Sequence, residues 1–356
     1  MDQNSRAGLL IKVMTVYAGT VIGAGFASGQ EIMQFFISFG VYGLWGVGLA
    51  TVLFVYLGLL IMFLATRLQT SNYQELLRYL LGKRAGRVMD FISLLMLPGG
   101  LVVMLAGSGA VFSEQLGLPR LLGTSLAAVV TCLVVMKGLP GVLTANIILV
   151  PLKISALVVV SLLALLHQGA LLQPFPDALP VNRVAGHWSW SSVLYVSYNM
   201  VVPVAVLSSL GRTVPVGIGM LGGALGGLIL GITAGLITLA GLAFYPEVLN
   251  YQVPVLFIAR SAGFMLQSLL SLLIWTAILT TAIAGAHGFA SRLAPGGGWR
   301  YRLAGIGATL LAMPLASLDF NCLVQLLYPL FGYAGLILLF ALILAPVIKK
   351  RGNLPS

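Results

Sequence analysis

Charge is what this chain most lacks. Charged residues make up 8% of its 356 positions against 59% hydrophobic, and the mean hydropathy is +1.05. A soluble domain is about 25% charged. A chain this poor in polar side chains has no means of covering a water-facing surface, which excludes a soluble globular protein. The apolar runs are too long for barrel strands, which alternate over about 10 residues. Helices are then the remaining way to satisfy the backbone in lipid. Cysteine is nearly absent too: Cys132 and Cys322 both fall in apolar segments, so no disulfide framework is implied. The chain has no Walker A pattern G-x-x-x-x-G-K-[ST], no H-E-x-x-H and no G-x-S-x-G. That argues against an ATP-driven pump and leaves no catalytic constellation for an enzyme. No channel filter or arginine-rich voltage sensor appears.

What is there is a series of long apolar runs. A spanning helix needs about 20 apolar residues. Ten spans are expected, at 9–39, 43–66, 88–116, 119–137, 142–167, 190–211, 215–243, 264–291, 301–318 and 320–347. The first is expected to be retained rather than cleaved, because its apolar run outlasts a signal h-region. The segment 244–263, "FYPEVLNYQVPVLFIARSAG", is too interrupted to span and reads as a surface or re-entrant element. In 67–87 leucines recur at helical spacing among basic residues, the pattern of an interfacial helix.

The net charge of +11 is unevenly placed. With the N-terminus inside, the inner loops and ends carry Arg6, Lys12, Arg67, Arg78, Lys83, Arg84, Arg87, Lys137, Arg212, Arg292, Arg300, Arg302, Lys349, Lys350 and Arg351. The outer loops carry Arg120, Arg183 and Arg260. The positive-inside rule then expects both termini in the cytoplasm of a multi-pass inner-membrane protein. The excess charge faces anionic headgroups rather than nucleic acid. The partners implied are a bilayer and a small solute. Nothing in the sequence sets an oligomeric state.

The ten spans divide at the polar loop 168–189 into two halves, 1–167 and 190–356, each with five spans and therefore of opposite orientation. Each half opens on a span that reads as broken. The first carries "VIGAGFASGQE" (21–31), and the sixth carries Ser197, Tyr198 and Asn199 followed by Pro203. Interrupted helices at matching positions of inverted halves point to a transporter binding site. An unwound turn frees N–H and C=O groups that lipid cannot satisfy, so it must line a cavity. The freed N–H groups favour a carboxylate and the freed carbonyls a cation. Candidate substrate residues are Gly23, Ala24, Gly25, Phe26, Ser197, Tyr198 and Asn199. The competing reading of the glycines is close helix packing.

These features resemble the LeuT fold of the amino acid–polyamine–organocation superfamily. More narrowly, "TVIGAGFASGQEIMQFF" (20–36) with "SYN" (197–199) resembles the YkvI-type bacterial membrane proteins. The wider resemblance implies an all-α bundle of a 5+5 inverted repeat and secondary transport of an amino acid or related carboxylate by alternating access. The eighth span, "WTAILTTAIAGAHG" (275–288), is similar to the sodium-coordinating segment of sodium-coupled LeuT-fold members. That implies a sodium site made by Ala277, Thr280 and Thr281, with carbonyls of Gly19 and Ile22 opposite. The alternative for the threonines is a bond to their own helix carbonyls.

A second coupling device competes with sodium. Lys153 lies inside the fifth span, where a charge is costly and functional by default. Its "KISAL" context resembles proton-coupled or uncoupled amino acid transporters, in which a lysine amine takes the place of sodium. Glu31, just after the first break, is a further titratable candidate. Sodium is the expectation favoured over protons. The other class left open is a ligand-sensing membrane subunit of the germinant-receptor type, binding without net transport.

Overall fold

The computed structural model describes residues 3–70, 73–137, 140–168 and 183–349. Most of the loop 168–189, with Lys350 and Arg351 of the basic set, lies outside the described residues. Among the described residues there is no strand. The helices are α1 (Gln3–Val21), α2 (Ala24–Ser28), α3 (Gln30–Phe35), α4 (Tyr42–Arg67), α5 (Tyr73–Leu116), α6 (Arg120–Lys137) and α7 (Pro140–Gln168). After the long loop follow α8 (Trp188–Asn199), α9 (Val201–Ser208), α10 (Val216–Ala243), α11 (Pro254–Ala259), α12 (Phe264–Leu293), α13 (Gly298–Leu315) and α14 (Phe320–Lys349).

Eight helices are long and apolar enough to cross a membrane among the described residues. Two expected spans are not among them. The first is divided into α1, α2 and α3, and α13 opens on the polar stretch "GWRYR". Side chains at the bundle periphery are apolar and exposed, such as Met265 at 87%, Leu311 at 78% and Leu121 at 70%. Such faces suit hydrocarbon, not water.

Small residues set the tightest crossing. On α4 and α10, Gly58 and Gly223 lie back to back: a Cβ on Gly58 would stand 2.5 Å from the Gly223 carbonyl oxygen. Apolar contact with lipid offers helices no net drive to associate, so close backbone approach through glycine supplies the packing. The interfacial helix expected in 67–87 is the start of α5, set off from the span by a non-helical Gly82 (φ 75°, ψ 179°). The interrupted segment 244–263 forms a 3-10 turn at Glu247–Asn250, the short α11 and a second turn at Arg260–Ala262.

The sixth span is divided more gently than the first. α8 and α9 meet at Met200, whose dihedrals (φ −80°, ψ −13°) remain helical. Met200 N–H still donates to Val196 O at 2.9 Å, and Val204 N–H to Met200 O at 3.1 Å. Pro203 has no N–H, so the carbonyl of Asn199 loses its helical donor.

Candidate functional site

The first helix ends because its ladder runs out of donors. Ile22 N–H still reaches Ala18 O at 2.8 Å, but Gly23 N–H turns back to Val21 O at 2.7 Å. The Gly19 carbonyl thereby loses the donor that a continuous helix would supply. α2 restarts from the extended Gly23 (φ −80°, ψ −168°) and stops at Gly29. Gly29 has φ +80°, a left-handed conformation that costs most residues a steric clash. It also lies under α11: a Cβ there would stand 2.6 Å from Val255 Cγ2. Ser28 Oγ donates to Gly25 O at 2.8 Å and accepts from Gln30 N–H at 3.3 Å, stitching α2 to α3. All eleven residues of this stretch except Gly23 are buried.

Two charged side chains flank the break from other directions. Lys153, 4% exposed on α7, donates from Nζ to the Ile22 carbonyl at 3.4 Å. α7 comes close enough because Gly19 has no side chain: a Cβ there would meet Val150 at 2.8 Å. Glu31, 5% exposed at the start of α3, folds back over Gly25. Its Oε1 lies so close that a Cβ on residue 25 would clash with it, and the Tyr328 hydroxyl would stand 2.9 Å from that Cβ. Tyr198 OH donates to Glu31 Oε2 at 2.6 Å, and the Tyr328 hydroxyl and Asn199 amide lie beside the carboxylate. The ring of Tyr198 sits 5.1 Å from Tyr328 and 5.7 Å from both Tyr195 and Phe35.

The expected substrate residues therefore divide. Gly25, Tyr198 and Asn199 meet at Glu31. Gly23 spends its N–H on Val21, and Phe26 is wholly buried in the core with Ala24. Ser197 points elsewhere: its hydroxyl donates to Leu194 O at 2.8 Å and Gly332 O at 2.6 Å, tying α8 to α14. In the expected sodium set, Thr280 and Thr281 both donate to Ala277 O, at 3.1 and 2.8 Å. The Ile22 carbonyl is already bonded to Lys153. A sodium ion on that carbonyl would face the Lys153 ammonium, and two like charges at one oxygen repel. The residues present do not fit sodium together with a charged Lys153.

Other contributors have no signal in the sequence pattern. Asn321 Oδ1 accepts from Gln30 Nε2 at 2.8 Å and Gln34 Nε2 at 2.6 Å, joining α3 to α14. Gln30 Oε1 and the Tyr195 hydroxyl are buried with no partner among the described residues, each at a cost of about 1–3 kcal/mol. Glu114, near the end of α5, accepts the N–H groups of Gln252 at 2.7 Å and Val253 at 3.0 Å. It holds the segment over Gly29. Gln252 Oε1 in turn accepts from Phe320 N–H at 3.0 Å. Arg120 pairs with Asp319 nearby. His287 is satisfied, its Nδ1 2.6 Å from the Tyr301 hydroxyl.

No protein-family model matches the chain. It is similar to the uncharacterized membrane protein YkvI of Bacillus subtilis, with 28% identity over 360 residues covering 99% of each chain. It is likewise similar to the uncharacterized protein YyaD of the same organism, 28% identical over 352 residues, 97% of this chain and 98% of that one. Among solved structures, Mhp1 in an inward-facing conformation superimposes with a TM-score of 0.67 at 14% identity, over 97% of this chain and 78% of Mhp1. A sodium-coupled sialic acid symporter gives 0.60 at 13% identity, over 95% and 79% of the two chains. The Eremococcus coleocola manganese transporter gives 0.58 at 13% identity, over 100% and 90%. At these identities the likeness defines the fold: a LeuT-like helical membrane protein.

Proposed function

We propose that this protein is a secondary transporter of a small organic solute, working by alternating access around the break in its first helix. The observation that carries the reading is the buried junction at 22–31, where a lysine, a glutamate and three tyrosines from four separate helices converge on interrupted backbone. Such polar groups are expensive inside a membrane protein and mark solute or ion paths. The kinship in fold with Mhp1 and the sialic acid symporter supports the same reading. A transition-metal cargo has no support: among the described residues no group of three or more His, Cys, Asp or Glu side chains comes together.

The 1–167 and 190–356 halves would be the two inverted repeats, rocking about the junction, in an inner membrane with both termini cytoplasmic. The cation at the break would be the ammonium of Lys153 instead of a bound sodium, because it already occupies the Ile22 carbonyl. A lysine that releases and regains its proton once per cycle couples transport to protons. Counterflow in proteoliposomes tests transport against the sensor alternative. Vesicles loaded with a mixture of unlabelled amino acids should accumulate a labelled member of that mixture. Ligand-dependent stabilisation without any exchange would favour the sensor.

A further inference from the structure

A group of unpaired positive charges lies away from the broken helix, at the bend near the start of α5. Gly82 (φ 75°, ψ 179°) turns the chain there, so that residues 73–81 form one arm and the residues from Lys83 onward the other. The arms approach each other at Leu77 and Gly86: a Cβ on Gly86 would stand 3.8 Å from the Leu77 carbonyl oxygen. Leu76 and Leu77, at 0% and 2% exposure, root the first arm in the protein, and Met89 at 0% roots the second. In the crook lies a cavity of about 80 Å³, lined by Arg78 from the first arm and by Lys83 and Arg87 from the second. All three are exposed. The ion pairs among the described residues, Arg120–Asp319 and Arg292–Asp90, use none of them. Asp90 also lines the cavity, but its carboxylate is 3.3 Å from Arg292 Nη1 and is balanced from α12. Arg87 Nε donates to Lys83 O at 3.4 Å, which leaves both Nη groups of that guanidinium without a partner among the described residues.

Three cations around one small cavity call for an anion, and the size and depth of the cavity say which. Pockets for organic solutes run to about 300–1,000 Å³, so about 80 Å³ holds a single small anionic group and no more. Arginine grips a phosphate through paired N–H groups, and lysine adds a point charge. Depth follows from Val88 and Phe91, which are 55% and 59% exposed within about one helical turn of Arg87. Apolar faces of that kind meet hydrocarbon, so the cavity lies at the level of the headgroups. The positive-inside reading puts this end of α5 on the cytoplasmic side, whose leaflet carries anionic lipid. We infer that the crook of α5 at Gly82 is a binding site for the phosphate of an anionic phospholipid, held by Arg78, Lys83 and Arg87, with the acyl chains lying along Val88 and Phe91. The phosphate bridges the two arms and relieves the repulsion between Arg78 on one and Lys83 and Arg87 on the other, and so it sets the angle of the bend. This is one defined seat, distinct from the general attraction of basic loops for headgroups: Arg84, on the same turn, does not line the cavity.

The experiment titrates acyl-labelled phosphatidylglycerol into the detergent-solubilised full chain, with acyl-labelled phosphatidylcholine as the comparator. Both lipids carry a phosphate, but the fixed positive charge of choline opposes the basic crook. Phosphatidylglycerol should bind at least about tenfold more tightly. Arg78→Gln, Lys83→Gln and Arg87→Gln should each weaken it by about fivefold or more. Arg84→Gln removes the same charge from the same turn and should leave the affinity near the wild-type value. The four side chains are exposed, so the variants should keep the wild-type unfolding midpoint. Equal losses in Arg84→Gln and Arg87→Gln overturn the site, because loop charge alone would then hold the lipid. Equal binding of the two lipids overturns it as well. Inorganic phosphate that displaces the labelled lipid at comparable concentration would make the crook a seat for soluble phosphate, and the lipid assignment falls. If a variant does not fold, the two-lipid comparison and the phosphate competition on the wild-type chain decide.

Discussion

At the scale of single residues, the junction explains why certain small and polar side chains stand where they do. Gly29 combines a positive φ of 80° with the pressure of Val255 above it. Gly29→Ala is expected to cost about 1–2 kcal/mol from the left-handed backbone alone, with the contact to α11 adding to it. The check is the unfolding midpoint in detergent, and an unchanged midpoint would contradict the geometry. Thr281 donates to its own helix at Ala277 O. Thr281→Ala should therefore shift stability by less than about 1 kcal/mol and leave uptake the same with and without sodium. A sodium response lost in that variant would restore the sodium site. The glycines and serine of 21–31 were legible in the sequence because they interrupt an apolar run. The partners were not. Tyr328 lies almost three hundred residues away inside "LLYPLFGYAG", and only the folding of α14 against α8 brings it to Glu31. Ser197 shows the converse: a hydroxyl next to Tyr198 in sequence leaves the face it occupies undecided, and it turns to α14.

At the scale of elements, the hydropathy pattern carried most of the architecture. The spans expected at 43–66 and 215–243 match α4 (Tyr42–Arg67) and α10 (Val216–Ala243) within a residue. Long apolar runs bounded by polar residues leave little freedom in where a membrane helix begins and ends. The second interruption was less legible, since polar residues and Pro203 leave α8 and α9 almost continuous through Met200. The role of 244–263 depends on two hydrogen bonds that no local pattern announces. Glu114 holds the backbone of Gln252 and Val253, and so fixes α11 upon Gly29. Hydrogen bonds to a charged acceptor contribute about 1.5–3 kcal/mol. Glu114→Gln should therefore raise amide hydrogen exchange across residues 252–259 by about tenfold or more. Exchange left at the wild-type rate would mean that other contacts hold the segment.

At the scale of the whole molecule, charge asymmetry and fold make linked claims. The positive-inside reading puts the basic residues and both ends of the chain on the cytoplasmic side, so a reporter fused after residue 356 should be active only in its cytoplasmic form. A periplasmic signal would reverse the orientation and with it the direction in which Lys153 meets the proton gradient. The central claim is that Lys153 is the coupling cation at the break in the first helix, through its bond to Ile22 O. The most direct measurement is uptake of a solute that exchanges in counterflow into proteoliposomes, driven either by an imposed pH gradient without sodium or by a sodium gradient at equal pH. The account predicts accumulation with the pH gradient alone, no added drive from sodium, and loss of proton-driven accumulation in Lys153→Ala. Accumulation that requires sodium, or that persists under the pH gradient in Lys153→Ala, would contradict it.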